Sequence, residues 1–385
     1  MTVMVEGHVE PTFAAVREAF EANFAEYDEV GASVCVYHRG RPVVHLWGGR
    51  ADLASGAPYT QDTLQLVFST TKGATALCAH LLVQRGVLDL DAPVAEYWPE
   101  FGVQGKERIR VRWLLSHRAG MCAWVDPITI EDFLAWDPAV RGLAAQAPLW
   151  EPDTAHGYHA VTFGHLVGEV VRRVSGRTLG TFLADEVCAP LGIEFHVGLP
   201  ASEEHRVAPL IDFDFGAAPE GGVDPMFLAL LTPGTMTNLA FTNPVLLVPR
   251  FNEPDVHAAE IPAANGITNA HSLARMYASM AGEVNGVRLL ESTQVEEARK
   301  IQSDGDDLVL VAAPTRIASG WFLPDALGPM LGEGSFGHSG LGGSLGCVLP
   351  EEELAFGYVM NRCRADADGD PRTRALLAAT LSCLA

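Results

Sequence analysis

Strand-like sequence lies near the two ends of this chain, and helix-like sequence fills the long stretch between them. Residues 33–38 and 42–48 are rich in β-branched and aromatic side chains and are joined at Arg39-Gly40-Arg41, so they predict a β-hairpin. Four further strand-like runs occur late in the chain, at residues 308–313, 318–323, 344–349 and 354–360. This order predicts an α/β fold of the α+β type, with one antiparallel sheet built from both ends of the chain.

Helical periodicity marks the segments that flank these strands. Apolar residues at positions 13, 16, 20 and 24 predict an opening amphipathic helix, and those at 77, 78, 81 and 82 predict a helix from residue 74 that ends at Gly86. A helix over 163–174, with Thr162 as its N-cap and Gly176 after its end, follows the same pattern. Residues 271–282 and 371–384 are also predicted to be helical.

The order of these segments predicts how the chain divides into domains. A length of 385 residues fits one large domain or two smaller ones. Residues 1–86 and 256–385 are predicted to form a discontinuous sheet domain. Residues 87–255 are predicted to form an inserted, mainly helical domain, with the active site between the two.

Charge and composition exclude several kinds of partner. With 26 basic and 48 acidic residues the net charge is −22, which disfavours nucleic acids and anionic membrane surfaces. The apolar runs are too short to span a membrane, and the acidic start, with Glu6 and Glu10, does not resemble a secretory signal. We therefore expect a cytoplasmic protein without a nucleic-acid or membrane partner; the sequence leaves its oligomeric state open.

Cysteines and short motifs give no sign of a bound cofactor. The seven cysteines are scattered and contain no Cys-x-x-Cys pair, which favours reduced, mostly buried thiols over disulfides or a zinc site. Signatures of phosphate-binding loops are missing from the sequence. His156 and His159 are three residues apart, but no carboxylate accompanies them at a metal-binding spacing, so a polar loop or pocket wall is favoured. We expect neither a metal nor a cofactor.

The residues with the clearest chemical potential are Ser69 and Lys72, immediately before the helix predicted from residue 74. Residues three apart share a helix face, so the hydroxyl and the amine can be neighbours at the helix N-terminus. The helix dipole and burial both favour a neutral lysine, which can act as the base that a serine nucleophile needs. An N-capping serine beside a solvated lysine is the alternative.

Two further segments could contribute to the same site. Tyr158 lies in a loop ahead of the helix predicted over 163–174 and could share proton transfer if a cation such as Lys72 lowers its pKa. Residues 337–344, Gly-His-Ser-Gly-Leu-Gly-Gly-Ser, precede a predicted strand, and their glycines would let backbone N–H groups approach an oxyanion. An anchoring aromatic residue and a flexible turn are the corresponding alternatives.

Together these segments resemble the serine β-lactamase and penicillin-recognising superfamily, and in detail its esterase branch, the family VIII carboxylesterases related to class C β-lactamases. The resemblance covers nearly the whole chain and includes two more segments, Leu-Leu-Ser-His-Arg-Ala-Gly at 114–120 and Gly-Tyr-Val-Met-Asn-Arg at 357–362. It implies a β-lactamase-like fold and a carboxylesterase that forms an acyl-enzyme on Ser69, with Lys72 and Tyr158 sharing the role of base. It also implies an oxyanion hole made by the backbone amides of Ser69 and Leu341.

Two departures from the superfamily pattern bear on the substrate. His338-Ser339-Gly340 stands where β-lactamases have Lys-Thr-Gly, and Ala160 stands where they have an asparagine. A neutral histidine and a missing amide weaken recognition of an anionic β-lactam without impairing attack on a neutral ester. A small carboxylic ester is thus the expected substrate. A β-lactamase, a D-amino-acid peptidase or acyltransferase, and a non-catalytic binding protein with this fold are the alternatives.

Other candidate residues have weaker support in the sequence. The run Gly342-Gly343-Ser344-Leu345-Gly346 matches the nucleophile elbow of α/β-hydrolases, but that fold needs a later histidine, and none follows residue 344. Ser344 is therefore not expected to be the nucleophile, and His117 is expected in a structural turn. Besides His338, Ser339, Gly340 and His156, several aromatic residues are possible substrate contacts, although core packing explains each equally well: Trp124, Trp136, Trp150, Phe213 and Trp321.

Overall fold

The computed structural model describes residues 3–211, 225–245, 250–325, 328, 330–364 and 369–384. Within these ranges the largest sheet has six antiparallel strands in the order β1-β3-β2-β12-β11-β10. The first three strands come from the start of the chain and the other three from residues 336–360. The prediction of an antiparallel sheet made from both ends of the chain is confirmed.

The helices and strands have the following bounds. The strands are β1 Val5–Val9, β2 Gly31–His38, β3 Arg41–Gly49, β4 Leu64–Leu66, β5 Phe195–His196, β6 Val207–Ala208, β7 Ile267–Thr268, β8 Ser303–Gly305, β9 Thr315–Ile317, β10 Phe336–Ser339, β11 Leu345–Leu349 and β12 Leu354–Met360. The α-helices are α1 Ala14–Glu26, α2 Thr71–Gln84, α3 Val94–Tyr97, α4 Val111–Leu115, α5 Ile130–Leu134, α6 Asp137–Ala145, α7 Thr162–Ser175, α8 Leu179–Leu183, α9 Ala189–Leu191, α10 Pro225–Leu231, α11 Met236–Thr242, α12 Pro254–Ala258, α13 Ala270–Ala281, α14 Ser292–Ala298 and α15 Pro371–Ser382.

Helices cover both faces of the large sheet. Neighbouring residues of a strand point to opposite faces. Gly357 of β12 lies so close to α13 that a Cβ atom there would be 2.6 Å from the carbonyl oxygen of Ala270. The next residue, Tyr358, faces the other way, towards the buried Arg372 of α15. The sheet is therefore the middle layer of three, which explains why every residue of β12 is buried.

A second, small sheet joins the inserted segment to the rest of the protein. Its strand order is β5-β7-β4-β6, so β4, just before Ser69, lies between β7 and β6, and β5 pairs with the other side of β7. The strands β5 and β6 both come from residues 87–255. The described part of residues 87–255 is thus mainly helical but also supplies β5 and β6. The division of the chain into two domains stays a prediction. Helix α7 of the inserted segment packs against α2, so the helix that follows Ser69 is covered by the insertion.

Most of the predicted elements are present, and three are corrected. Residues 308–313 form bends and a turn rather than a strand, and the short β9 follows them. Residues 318–323 form a bend, in which Phe322 alone bridges to Gly337 of β10 through two backbone hydrogen bonds. The N-cap of α7 is Val161 rather than Thr162, whose hydroxyl is buried without a hydrogen-bond partner among the described residues. The edge strand β1 was not predicted, because its residues are mostly exposed and include Glu6, Gly7 and His8.

Two further expectations concern membranes and thiols. Over the described ranges, the helices are all too short or too polar to cross a bilayer. The seven cysteines are free thiols; six are buried and Cys383 is half-buried.

Candidate active site

Ser69 lies in a strained turn between β4 and α2. The backbone of Phe68 has a φ of +43°, which is unusual for a residue with a large side chain. Phe68 is also the first residue of a 3-10 helix, Phe68–Thr70, which runs directly into α2. Ser69 is half-buried, whereas its neighbours Phe68 and Thr70 are buried, so the strained turn presents the serine at the surface of the site.

Lys72 is fully buried in the first turn of α2 and points back towards Ser69. Its Nζ atom lies 3.1 Å from Oγ of Ser69 and donates to the carbonyl oxygens of Ala160 at 2.7 Å and Ala263 at 2.9 Å. Burial lowers the pKa of Lys72 well below its usual value, because the charged form loses its hydration. The position of this side chain is thus fixed by two carbonyls from distant parts of the chain.

Tyr158 is buried beside this pair. The Lys72 amine is 4.7 Å from the centre of the tyrosine ring. Burial raises the pKa of Tyr158 well above its usual value, and hydrogen bonding to Ser69 opposes this only in part. The expectation that a cation lowers the pKa of this tyrosine is therefore wrong. Loss of hydration raises the tyrosine pKa by more than the nearby amine lowers it, and burial favours the neutral form of that amine as well. Tyr158 stays protonated and able to donate a hydrogen bond.

A buried aspartate, which the sequence analysis did not single out, holds the backbone of Tyr158. Oδ1 of Asp307 accepts from the backbone N–H of Tyr158 at 3.0 Å and from those of Val309 and Leu310 at 2.8 Å each. These bonds turn the chain after residue 307, which explains why the apolar run that follows is not a strand. Sequence separation hides this contact, since Asp307 lies 149 residues from Tyr158.

The histidines near Tyr158 make contacts within the protein. The ring of His117 packs 5.0 Å from that of Tyr158, and its Nδ1 accepts from the backbone N–H of His159 at 2.9 Å. His117 has a φ of +61°, consistent with the structural turn predicted for it. His156 contacts Thr315 at 3.0 Å and only 6% of its side chain is exposed, so little of it is available to a substrate.

The β10–β11 turn packs directly on the turn that carries Ser69. A Cβ atom on Gly340 would be 2.2 Å from both Oγ of Ser344 and the carbonyl oxygen of Val67, so only glycine fits there. Oγ of Ser344 donates to the carbonyl oxygen of Val67 at 2.9 Å. Ser344 is buried, and its hydroxyl is used in this hydrogen bond. The strand β11 that follows it confirms that the elbow-like motif does not pass into a helix.

His338, at the end of the edge strand β10, is a neutral group near the tyrosine. Its Nδ1 lies 2.7 Å from the carbonyl oxygen of Ser339, so this nitrogen carries the proton. Burial and the nearby Lys72 lower the pKa of His338 to about 3. The ring is 6.2 Å from that of Tyr158, whereas Ser339 is exposed and Gly340 half-buried. This end of β10 therefore presents no positive charge at neutral pH.

The aromatic candidates for substrate contact differ in how far they are buried. Trp321 has no exposed surface and stacks on His80 at 5.0 Å between ring centres, so it belongs to the core rather than to a pocket wall. Trp124 is also buried. Trp136 is half-buried and donates to Glu169, and Trp150 is half-buried and contacts Gly157 next to Tyr158. Phe213 lies outside the described residues.

Among the residues that the structure describes, His, Cys, Asp and Glu side chains do not gather in groups of three or more that could hold a metal ion.

Comparison with known proteins shows the family to which the chain belongs. The profile of the family described as Beta-lactamase matches residues 16–380. The esterase/beta-lactamase LipL of Mycobacterium tuberculosis is 36% identical over 367 residues, which are 93% of this chain and 83% of that protein. A solved family VIII carboxylesterase superposes with a TM-score of 0.88 at 38% identity and covers 99% of this chain and 100% of its own. A penicillin-binding protein homolog from Caulobacter crescentus gives 0.86 at 36% identity, with 99% and 100% covered.

The fold and these relatives define a class: the protein is a serine hydrolase with the β-lactamase fold. The match to the family profile extends over most of the sequence, and the likeness to LipL does so as well. The chain belongs to the β-lactamase family, as its sequence motifs suggested.

The buried lysine leads to a prediction about stability. Because the pKa of Lys72 is lowered on folding, the folded state binds fewer protons than the unfolded state at pH values between the folded and unfolded pKa. In that range Lys72 makes the protein less stable as the pH falls, by up to about 1.4 kcal/mol per pH unit. The free energy of unfolding of Lys72→Met minus that of wild type should therefore increase as the pH is lowered from 10 to 7. Urea unfolding at several pH values measures this, and a difference that does not change with pH would contradict it.

Proposed function

We propose that the protein is a carboxylesterase that hydrolyses small esters through an acyl-enzyme on Ser69. In the first step Oγ of Ser69 attacks the ester carbonyl, Lys72 accepts the serine proton, and the alcohol leaves with a proton. In the second step water gives a proton to Lys72 as its oxygen attacks the acyl carbon. The bond between that carbon and Oγ of Ser69 then breaks, Oγ takes the proton back, and the carboxylic acid leaves. The backbone amides of Ser69 and Leu341 stabilise the oxyanion that forms in each step. Neither a metal nor a cofactor is part of this scheme.

The proposal rests on one observation: three oxygen atoms surround the Lys72 amine. A neutral amine has two N–H bonds and one lone pair. The carbonyl oxygens of Ala160 and Ala263 take up the two N–H bonds, and Oγ of Ser69 lies at 3.1 Å in a third direction. The lone pair is then left facing the serine hydroxyl, as a general base requires. Burial supplies the other requirement, a lysine with a lowered pKa.

Tyr158 takes a different part in the proposed mechanism. Since burial raises its pKa, the phenol is a poor base but remains a hydrogen-bond donor. We assign it to proton delivery: it donates its proton to the departing alcohol oxygen and regains one from protonated Lys72, 4.7 Å from its ring centre. Lys72 is then the main base and Tyr158 the relay.

The charge of the site favours neutral substrates. His338 has a pKa of about 3 and therefore offers no cation to a substrate carboxylate. Ala160 has no side-chain amide, and its carbonyl oxygen is taken by Lys72. Both features support an uncharged ester over an anionic β-lactam. A β-lactamase is the second candidate, since LipL carries both activities in its name. Location in the cytoplasm stays a prediction.

The nucleophile is tested by replacing each of the two candidate serines with alanine. Ser69→Ala should abolish hydrolysis of p-nitrophenyl butyrate, because the proposed mechanism carries the acyl group on Oγ of Ser69. Ser344→Ala, the matched control, should keep substantial activity because Ser344 only supports the neighbouring turn. The reverse pattern would reject the assignment. A fluorophosphonate probe that fails to label Ser69 in folded wild type would favour a non-catalytic binding protein.

The identity of the base is tested by the pH profile. A base must be unprotonated, so kcat/KM should fall as the pH drops through the pKa of Lys72, which burial sets well below its usual value. Tyr158→Phe should lower kcat by about 100-fold, within the usual range for a proton-transfer group, yet keep the same acid limb. Loss of that limb in Tyr158→Phe would assign the base role to the tyrosine instead.

Substrate class is tested by comparing two chromogenic compounds on the wild-type enzyme. Without a cation or an amide for the carboxylate, kcat/KM for p-nitrophenyl butyrate should exceed that for nitrocefin by at least about 100-fold, the size expected when a charged contact is missing. Comparable values on the two compounds would favour the β-lactamase candidate.

A further inference from the structure

The β10–β11 turn is held from behind by the first turn of the last helix, α15. The carbonyl oxygen of Gly342 accepts from Nη2 of Arg372 at 2.8 Å and also from the backbone N–H of Arg364 at 3.2 Å. That of Gly343 accepts from Oγ1 of Thr373 at 2.8 Å. Two successive peptide groups of a glycine-rich turn are thus fixed by neighbouring residues of one helix. Without such bonds, two adjacent glycines would leave the turn with wide conformational freedom.

The same turn presents the N–H group of Leu341. Residues 340–343 form a β-turn closed by the N–H of Gly343 and the carbonyl oxygen of Gly340 at 3.2 Å. Gly342, the third residue, has a φ of +90°, as a type II turn requires. Leu341 is the second residue, and its N–H makes no backbone hydrogen bond among the described residues. The group is therefore available to a ligand, and its direction depends on how the whole turn is held.

Arg372 can fix this turn because it is itself immobilised. Its side chain has no exposed surface, and its guanidinium is paired with Glu29 at 3.0 Å and with Asp370 at 2.6 Å. The Glu29 carboxylate is also fully buried and accepts from the hydroxyl of Tyr358 in β12. The guanidinium is therefore tied to the central sheet. Removing one partner of such a buried cluster leaves the other charge uncompensated.

On its opposite side the turn contacts the segment that carries Ser69. Gly340 lies against the carbonyl oxygen of Val67, and Ser344 donates to the same oxygen. The turn is thus clamped between the Ser69 segment and α15. The distance from the Leu341 N–H to Ser69 is consequently set by contacts on both sides, one of which is the ionic cluster around Arg372.

We propose that Arg372 and Thr373 are positioning residues for the oxyanion hole, and this inference rests on the function proposed above. They touch neither substrate nor reacting atoms. They orient the Leu341 N–H by holding the two carbonyls that follow it in the turn. Their contribution is made in the transition state, because a misaligned donor weakens the oxyanion contact more than it weakens substrate binding.

Thr373 gives the cleaner test, since Thr373→Val keeps the shape of the side chain and removes one hydrogen bond. Its kcat on p-nitrophenyl butyrate should fall about fivefold with KM changed less than about twofold, the pattern of a lost transition-state contact. Thr373→Ser, which keeps the hydroxyl, should restore kcat. Equal kcat values for Thr373→Val and wild type, each assayed well below its unfolding temperature, would overturn the inference.

Arg372→Met should lower kcat further, by about 30-fold, within the loss seen when an oxyanion donor is misplaced or removed. Arg299 offers a matched control: it donates to the carbonyl oxygen of Gly334 at 3.2 Å and pairs with Glu351, at the other end of the β10–β11 hairpin. Arg299→Met should keep kcat. An equal loss in both arginine variants would indicate a general effect on the hairpin and overturn the inference. If Arg372→Met does not fold, the Thr373 variants still decide.

Two failures can be told apart. Wild-type protein without Ser69-dependent ester hydrolysis would reject the proposed function. Normal hydrolysis by wild type, with kcat unchanged in Thr373→Val, would reject only the role of the α15 residues.

Discussion

A lysine amine enclosed by backbone carbonyls is the constraint on which this site depends. The three groups around Nζ of Lys72 belong to distant stretches of chain: Ser69 precedes α2, Ala160 lies in the inserted segment and Ala263 precedes β7. Helix α7 packs on α2, and the Lys72 side chain is fully buried. The two other lysines differ: Lys106 is also buried, but caps the end of α6 through the carbonyl of Ala144, and Lys300 pairs with Glu297 at the surface.

The fold could be predicted wherever a local pattern reflects burial. The hairpin of β2 and β3, the helices α2 and α13 and the strand β12 all follow from periodicity and turn residues. The failures have long-range causes. Residues 308–313 are apolar, yet the Asp307 carboxylate, which also holds Tyr158, bends them into a turn. Composition alone could not reveal β1, because an exposed edge strand needs few apolar residues.

The residues of the proposed site could be predicted from the sequence, but how far each of them is buried could not. The three-residue spacing of Ser69 and Lys72 is enough to bring them together on a helix, and the structure has them 3.1 Å apart. The protonation behaviour of Tyr158 depends on how completely its neighbours exclude water, which no spacing encodes. Trp321 shows the same limit, since an aromatic residue suits a pocket wall and a core equally well until its exposure is known.

The pairing of β2 with β12 has a consequence for how the protein is made. Residues 32–38 hydrogen-bond to residues 354–360, so their partner strand is synthesised more than 300 residues later. Until then β2 exposes an apolar edge that could pair with other chains. Contacts of such long range slow folding, because a large loop must close before they form. The central strands of the sheet are thus expected to be the last to join and the most exposed to aggregation during synthesis.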